Sequence, residues 1–308
     1  MTIPLEPQHA TGVPTARDDD EPGVSLWRAA WRRMIRNPAA IAGALIVLAF
    51  VLVAIFAPLL APYSEGVQDW RGDVTPSDVP GPRDGNLLGV DRYGADLFSQ
   101  IIYGARQSLI VGVVSTAGGL AVGALLGIIA GGLGKMADTI VMRIVDIMLS
   151  IPSLLLAVSI VAVLGQERKS VMIAIAAAQV PIFARLLRGS MLAQRNADYV
   201  LAANSLGLRR RTIVMSHVLP NSLGPTIVQA TLNLATAIIE VAALSYLGLG
   251  GGDLAEAEWG RMLVAAQDRF DESPQLAFGP GIAILISALG FTLLGEGLRD
   301  ALDPKGRR

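Results

Sequence analysis

The chain has 308 residues, a net charge of −1 and no cysteine. Charged residues make up only 17% of it, against roughly 25% in ordinary soluble domains, and the mean hydropathy is +0.52. This composition excludes disorder over most of the length and argues against a soluble enzyme. No basic face indicates a nucleic-acid partner. With no cysteine and two histidines, thiolate and histidine-rich metal sites are excluded.

The N-terminal region divides into two parts. Residues 1–24 contain four prolines and an acidic run, and they lack the charged and apolar pattern of a signal peptide, so they predict a disordered cytoplasmic tail. Residues 25–38 place Trp27, Trp31, Met34 and Ile35 at helical spacing among four arginines. Such a pattern predicts an amphipathic helix at the membrane interface, in contact with lipid.

Six apolar segments predict an all-α, polytopic membrane protein with six transmembrane helices. The first, residues 39–60, contains no charge and would be about 33 Å long as a helix, enough to cross a bilayer. The fourth is short, because Pro181 interrupts it. The other five segments are approximately 108–133, 140–164, 171–184, 223–249 and 276–298.

The distribution of basic residues predicts the orientation. Four arginines precede the first span, and six arginines against one acid lie between residues 185 and 217. Residues 61–105 carry seven acids and three arginines, which predicts an extracytoplasmic loop. Both termini are therefore expected in the cytoplasm. The remaining divisions are a five-helix core at 106–299, a cytoplasmic loop at 188–220 within it, and a cytoplasmic tail at 300–308.

The second span contains glycines at a spacing of four residues. Such a series leaves a groove of backbone on one helix face and favours close helix packing, although a flexible gating helix is the alternative. The glycines are Gly119, Gly123, Gly127 and Gly131.

The cytoplasmic loop contains a short, mostly apolar helix pattern. Tyr199, Ala202, Ala203 and Leu206 lie at positions i, i+3, i+4 and i+7, and Gly207 follows as a helix stop. An apolar surface on a helix too short to enter the membrane indicates a docking patch. An ordinary interfacial linker helix is the alternative from the residues alone.

This pattern resembles the EAA loop of ABC importer permeases. The residues at the motif's positions are Leu201, Ala202, Ala203, Gly207, Leu219 and Pro220, and all but Leu201 match it. Further stretches are similar to the dipeptide/oligopeptide/nickel permease family, in the order expected for its "C"-type subunit. They are residues 86–109, 138–156, 216–221, 240–250, 258–263 and 294–304. Leu201 departs from the motif, which usually has glutamate there.

The resemblance implies a type I ABC importer permease fold and a peptide cargo. It also implies three kinds of partner protein: a second permease, two ATP-binding subunits that bind ATP and magnesium, and an extracytoplasmic solute-binding protein. The six residues at these positions would couple the chain to the ATPase. No cofactor is expected in the chain itself. The pair Gly134-Lys135 is followed by Met136, where a phosphate-binding loop needs serine or threonine.

Arg143, Asp146 and Glu240 are the ionisable residues of the spans that bear on function. Arg143 and Asp146 lie three residues apart, so mutual pairing is expected, with a position along the substrate path as the alternative. Glu240 has no basic residue nearby in the sequence. It would either face a cavity that accepts the substrate's amino terminus or a proton, or be a buried carboxylate bonded to another helix.

Three other functions compete with peptide import. The same machinery could carry nickel chelates, glutathione or another peptide-like solute. A secondary transporter could use Glu240 as its coupling carboxylate, but it would leave residues 198–220 without a role. A membrane-embedded enzyme would need convergent catalytic groups, which the sequence does not offer.

Overall fold

A computed structural model describes residues 31–75, 79–251 and 256–302. Within these ranges the chain is helical apart from its loops and two isolated β-bridges. The predicted tail at 1–24, residues 25–30 of the predicted interfacial helix and residues 303–308 lie outside the described residues. Residues 31–34 of the predicted interfacial helix are helical.

The helices follow one another through short connections after a long first loop. In chain order they are α1 (Pro38–Ile55), α2 (Ala57–Leu60), α3 (Leu97–Leu133), α4 (Lys135–Leu149), α5 (Ser153–Leu164), α6 (Arg168–Gln194), α7 (Asp198–Ser205), α8 (Arg210–Thr212), a π-helix (Ile213–Val218), α9 (Leu219–Tyr246), α10 (Trp259–Gln267) and α11 (Gln275–Leu302).

The first apolar segment forms α1 and, after a break at Phe56, the short α2. Asn37 caps α1, since its Oδ1 accepts a hydrogen bond from the N–H of Ala39 at 3.0 Å. Pro38 occupies the first turn, where its missing N–H costs nothing. The helix packs against α11, where a Cβ on Gly290 would lie 2.5 Å from Ile46 Cγ2. Glycine thus permits close contact here.

The prediction that residues 61–105 are loop is wrong at its C-terminal end, because α3 begins at Leu97. Asp96 caps this helix by accepting from the backbone N–H of Ser99 at 2.8 Å and from its hydroxyl at 2.7 Å. Residues 97–105 are therefore helical. With 37 residues, α3 is about 55 Å long, longer than the hydrocarbon core of a bilayer at about 30 Å.

The third apolar segment does not form one straight helix, contrary to the sequence prediction. It consists of α4 and α5, which meet at Ser150–Pro152 with a bend of 92°. Pro152 cannot donate a backbone hydrogen bond, and it ends the helical path of α4. Five described helices are long and apolar enough to span a membrane, and a sixth span is present if the bent pair counts as one.

The fourth segment is longer than the sequence indicates. Pro181 lies inside α6, which continues for 27 residues from Arg168 to Gln194. Pro181 is buried among neighbouring helices, which compensate for the backbone group that it leaves unbonded. The segment 188–220 is accordingly less of a loop than predicted, since 188–194 belong to α6. The last helix also reaches Leu302, into the predicted tail at 300–308.

The glycine series of α3 lies against α6. A Cβ on Gly119 would be 2.8 Å from the Ala176 carbonyl oxygen, and one on Gly123 would be 2.6 Å from that of Val180. Gly127 and Gly131 continue the contact to Ala184 and Met191. Both residue series rise along the chain, so α3 and α6 run parallel. The α4–α5 pair must therefore return the chain to the side where α6 begins.

The glycine contact predicts opposite effects for two Gly→Ala substitutions. Gly123→Ala would place a methyl group against the α6 backbone, and overpacking of this kind costs about 1–3 kcal/mol. Gly189→Ala, within α6, meets nothing within 4 Å and should gain up to about 1 kcal/mol of helix propensity. Thermal midpoints in detergent, followed by size-exclusion chromatography, should fall for the first variant and not for the second. Equal midpoints would contradict close α3–α6 packing.

Candidate functional site: the coupling segment and the charges near it

The coupling segment, residues 195–218, contains α7, α8 and the π-helix. Helix α7 covers Asp198–Ser205 and stops where Gly207 adopts a φ of +72°. The N–H of Leu208 then bonds to the Ala203 carbonyl at 3.2 Å, and the N–H of Gly207 to that of Asn204 at 3.0 Å. A left-handed glycine with such bonds is a common helix ending, so Gly207 has a conformational role.

One face of α7 holds it to the rest of the chain. Val200 and Ala203 are buried against Leu187 and Met191 of α6 and against Ile213 and Val218 of the π-helix. Ala203 thus faces the protein's own interior, whereas Ala202 is exposed. The two alanines of the motif therefore serve different surfaces: one seats α7 on α6, and the other lies on its outer side.

The outer side of the coupling segment exposes three leucines among polar residues. Leu201 of α7 is 53% exposed, and beyond the end of α7 Leu206 is 82% and Leu208 40% exposed. The exposed polar residues of α7 are Asp198, Asn204 and Ser205. Next along the chain, Arg209, Arg210 and Arg211 are all exposed. Leu219 is half-buried against the cluster under α7, and Pro220 occupies the first turn of α9. The outer face of the coupling segment thus offers exposed leucines followed by three cations.

Two neighbouring groups modify this surface. Tyr199 donates from its hydroxyl to Gln194 Oε1 at 2.6 Å, and partial burial raises the pKa of the Tyr199 phenol. The phenol is therefore neutral at physiological pH. The π-helix carries the chain from α8 directly into α9. The sequence analysis missed it, since a π-helix has no pattern distinct from that of an α-helix; such helices are frequent at functional sites.

Ion pairs and one carbonyl contact tie α6 to the helices beside it. Arg188 makes a bidentate contact with Asp138 of α4, with Nη2 2.7 Å from Oδ2. Arg195 donates from Nη2 to the carbonyl of Gly131 near the end of α3 at 2.7 Å. Arg188 directly follows Leu187, which packs against α7, and Arg195 lies three residues before α7 begins. Contacts of these two arginines therefore connect the surroundings of α7 to α3 and α4.

Asp146 pairs with Arg185 of α6, so the expected pairing with Arg143 is wrong. Since α4 and α6 cross, Asp146 approaches α6, whereas Arg143 lies on the exposed side of α4 with no ion pair among the described residues. The two ion pairs between these helices are Asp138–Arg188 and Asp146–Arg185. Their residues are eight apart on α4, about 12 Å along its axis, but only three apart on α6, about 4.5 Å along its axis. The two helices therefore cross steeply.

Glu240 lies beside the break between α4 and α5. Its side chain is hydrogen-bonded to that of Ser153, the first residue of α5. Its Oε2 atom is buried without a hydrogen-bond partner, and no ion pair within the described ranges involves it. The structure keeps Glu240 and Asp146 on different helices and gives them different partners.

The all-α fold with its long apolar helices, together with the coupling segment, defines the class of protein as a polytopic permease. A solved structure of the MetNI methionine ABC transporter in inward facing conformations matches with a TM-score of 0.56 at 19% identity. The match covers 67% of this chain and 98% of that chain. The likeness concerns the fold, and it confirms the type I importer permease architecture.

The chain belongs to the family described as the binding-protein-dependent transport system inner membrane component, whose model matches residues 123–308. A second model, the N-terminal TM domain of oligopeptide transport permease C, matches residues 25–76. The chain is 42% identical to the dipeptide transport system permease protein DppC of Alkalihalophilus pseudofirmus, over 98% of this chain and 99% of that protein. It is 40% identical to the glutathione transport system permease protein GsiD of Pectobacterium atrosepticum, over 91% of each. It is therefore a multi-pass inner-membrane permease component of an ABC importer.

The half-buried pair of Arg188 and Asp138 should contribute measurably to stability. Arg188→Met leaves a partly buried carboxylate without its partner, and we expect a loss of about 1–3 kcal/mol. The double variant with Asp138→Asn should lose less than the sum of the single variants, which a double-mutant cycle of thermal midpoints would show.

The exposed pair of Arg299 and Glu296, 3.8 Å apart, provides the control. Arg299→Gln should change stability by at most about 0.5 kcal/mol. Additive effects at Arg188 and Asp138 would mean that this ion pair does not fasten α4 to α6.

Proposed function

We propose that the chain is the membrane-spanning permease subunit of an ATP-driven importer for di- and oligopeptides. The exposed leucines of the coupling segment carry this proposal, because they give the chain a docking surface for a separate energy-supplying subunit. The relative that is named for dipeptides matches nearly the full length of both chains, which supports the peptide cargo.

The proposed complex contains a second permease, two ATP-binding subunits and an extracytoplasmic solute-binding protein. ATP and magnesium would bind to the ATP-binding subunits, and this chain would supply no cofactor site. Both termini would lie in the cytoplasm, on the same side as the coupling segment. Nucleotide would act by shifting the balance between inward-open and outward-open arrangements of the helices.

The outer face of α7 indicates the chemistry of its partner. Leu201, Leu206 and Leu208 fit an apolar groove, and Leu201 stands where the EAA motif usually has a charged residue. The exposed Arg209, Arg210 and Arg211 fit acidic side chains at the margin of such a groove. Ala202 and Gly207 would allow close approach, whereas Ala203, Leu219 and Pro220 would hold the segment in place.

A charged group among these leucines should weaken ATPase binding. Leu201→Asp and Leu206→Asp each put a carboxylate into a dry contact, at a cost of about 1–3 kcal/mol, or roughly tenfold to a hundredfold in affinity. The variants should still insert into membranes, since both side chains are exposed. Quantitative co-purification with the ATP-binding subunits, with ATP-driven uptake in proteoliposomes, measures the effect.

Ser64→Asp supplies the matched control, because Ser64 is exposed on the first loop, outside the coupling segment and the helices that contact it. It adds the same charge and should leave both measurements unchanged. Full ATPase recovery with Leu206→Asp would remove the docking role of α7. A loss with Ser64→Asp equal to that with Leu206→Asp would attribute the effect to charge alone.

Asp146 and Glu240 are proposed to lie along the translocation pathway. Glu240 supports this more strongly, since an ionisable group at membrane depth with one unpartnered oxygen is suited to meeting a cargo. A peptide's terminal ammonium would complete its hydrogen bonds. The partner of Asp146 is Arg185, and this pair would have to open for either residue to contact a peptide.

Glu240→Gln should lower the uptake of a peptide with a free amino terminus. A charge-assisted bond of about 1.5–3 kcal/mol is lost, so we expect a decrease of roughly tenfold or more. The acetylated form of the same peptide has no terminal ammonium, so the Glu240→Gln variant and the parent chain should take it up at the same rate. Ser153→Ala removes the hydroxyl that bonds to Glu240 and keeps the Glu240 carboxylate, so it distinguishes loss of this hydrogen bond from loss of the charge. Equal loss for both peptides would contradict ammonium recognition.

A different cargo is the main alternative. The relative named for glutathione transport is 40% identical over 91% of this chain, so glutathione is a specific candidate beside nickel chelates. Purification of the complex in mild detergent, followed by identification of the solute on its binding protein, would discriminate among them. A secondary transporter that uses Glu240 would show uptake without ATP and would co-purify with no ATPase.

A further inference from the structure

A cavity of about 280 Å³ lies between the start of α3, the end of α9 and α10. Its walls are fixed by contacts outside it. The fully buried Trp259 donates from Nε1 to the Ile101 carbonyl at 3.0 Å, and Asn86 donates to Asp96 at 3.0 Å. The cavity is thus formed before any ligand enters.

The charged groups around the cavity are already engaged. Asp91 accepts from the N–H groups of Tyr93 and Ala95 at 2.8 Å each; burial raises the pKa of Asp91, although these bonds oppose the shift. Arg92 lies over the ring of Tyr93, and Glu258 caps α10 through the N–H groups of Gly260 and Arg261. Glu256 pairs with Arg168. These groups are committed to the fold, so they do not define the ligand.

Two neutral polar side chains that line the cavity lack hydrogen-bond partners among the described residues. Ser245 is 2% exposed, and its hydroxyl oxygen is buried without a partner. Burying such a group without compensation costs free energy, which a ligand that bonds to it would recover. Gln100 is 7% exposed and lines the cavity, so its amide, which bonds to no described residue, is open to a ligand there.

The chemistry of the lining limits what this ligand can be. The Gln100 amide can donate to the C=O of a peptide group or accept from its N–H, and the Ser245 hydroxyl can donate or accept in the same way. Apolar side chains complete the wall, from Leu97, Met262 and Leu276. The volume is just below the usual range for ligand pockets, about 300–1,000 Å³, and so suits a small ligand.

We propose that this cavity binds a short peptide, with Gln100 and Ser245 bonded to a peptide group and Leu97, Met262 and Leu276 around an apolar side chain. The assignment rests on the proposed peptide cargo and adds a binding site for it. The cavity lies at the opposite end of α9 from the coupling segment. A peptide there would contact the chain at the extracytoplasmic end of the pathway, before it meets Glu240.

The absence of cysteine makes a site-specific test practical. Ala265 lines the cavity and is half-buried, so Ala265→Cys gives this chain one thiol there. The full complex in lipid nanodiscs, with its other subunits free of cysteine, would be labelled with a maleimide in the presence of leucyl-leucine. At about ten times its Kd the dipeptide should slow labelling about tenfold. Ser64→Cys, on the exposed first loop, should label at the same rate with and without dipeptide.

Gln100→Leu keeps the size of the side chain and removes both hydrogen-bonding groups. In the Ala265→Cys background it should raise the dipeptide concentration needed for protection about tenfold, and Ser245→Ala should raise it by less. Ser245→Ala removes a buried, unpartnered hydroxyl, and Gln100→Leu removes an amide that bonds to no described residue, so both variants should melt at least as high as the parent chain. A lower melting point would show that the side chain has a structural role and would overturn its assignment to the ligand.

The uptake of leucyl-leucine by the same complex distinguishes the possible failures. Uptake without protection of Ala265→Cys overturns the cavity assignment and leaves the proposed function standing. Protection without uptake supports the cavity and overturns peptide import. Protection that is unchanged by Gln100→Leu overturns the role of the amide. Absence of both uptake and protection overturns the two proposals together.

Discussion

The close approach of α3 to α6 is the constraint on which the rest of the structure depends. Backbone groups of α6 occupy the positions where side chains of α3 would otherwise lie, so only glycine fits at Gly119 and Gly123. Because the two helices run parallel, the chain between them has to cross back over the distance that they span. The steep bend between α4 and α5 is part of that return. The contact also fixes the C-terminal half of α6, on which the coupling segment rests.

The coupling segment is joined to the fold by two kinds of interaction that reinforce each other. Apolar burial of Val200 and Ala203 holds α7 against α6, and polar contacts of Arg188 and Arg195 hold α6 to α4 and α3. The coupling segment is therefore in contact with α6 and, through α6, with α3 and α4. The last turn of α4 directly precedes the break beside Ser153.

Hydropathy and motif spacing predicted much of the fold, because both are local properties. The apolar segments of α1, α9 and α11 were identified from composition alone, and the family was identified from ordered motifs. The errors arose where a distant residue decides the outcome. Pro181 does not end α6, since neighbouring helices enclose it; Asp146 turns to Arg185, because α4 crosses α6 steeply. The start of α3 at Leu97 was missed, although Asp96 followed by Ser99 three residues later is a readable capping signal. The cavity beside Gln100 depends on three separate segments and has no signal in any one of them.

The contact between α6 and α9 differs in character from the glycine contact between α3 and α6. Gln179 of α6 donates to the Asn233 carbonyl at 3.4 Å, and Gln229 donates to the Asn233 side chain at 2.8 Å. Yet Gln179 Oε1 and Asn233 Nδ2 are buried without partners. These amides have further hydrogen bonds available, so a small sliding of α9 would exchange partners rather than lose them. The glycine contact permits no such exchange, since displacement there brings backbone against backbone. A transporter needs two arrangements of its helices, and the unequal character of these two contacts favours motion of α9 relative to α3 and α6 as a unit.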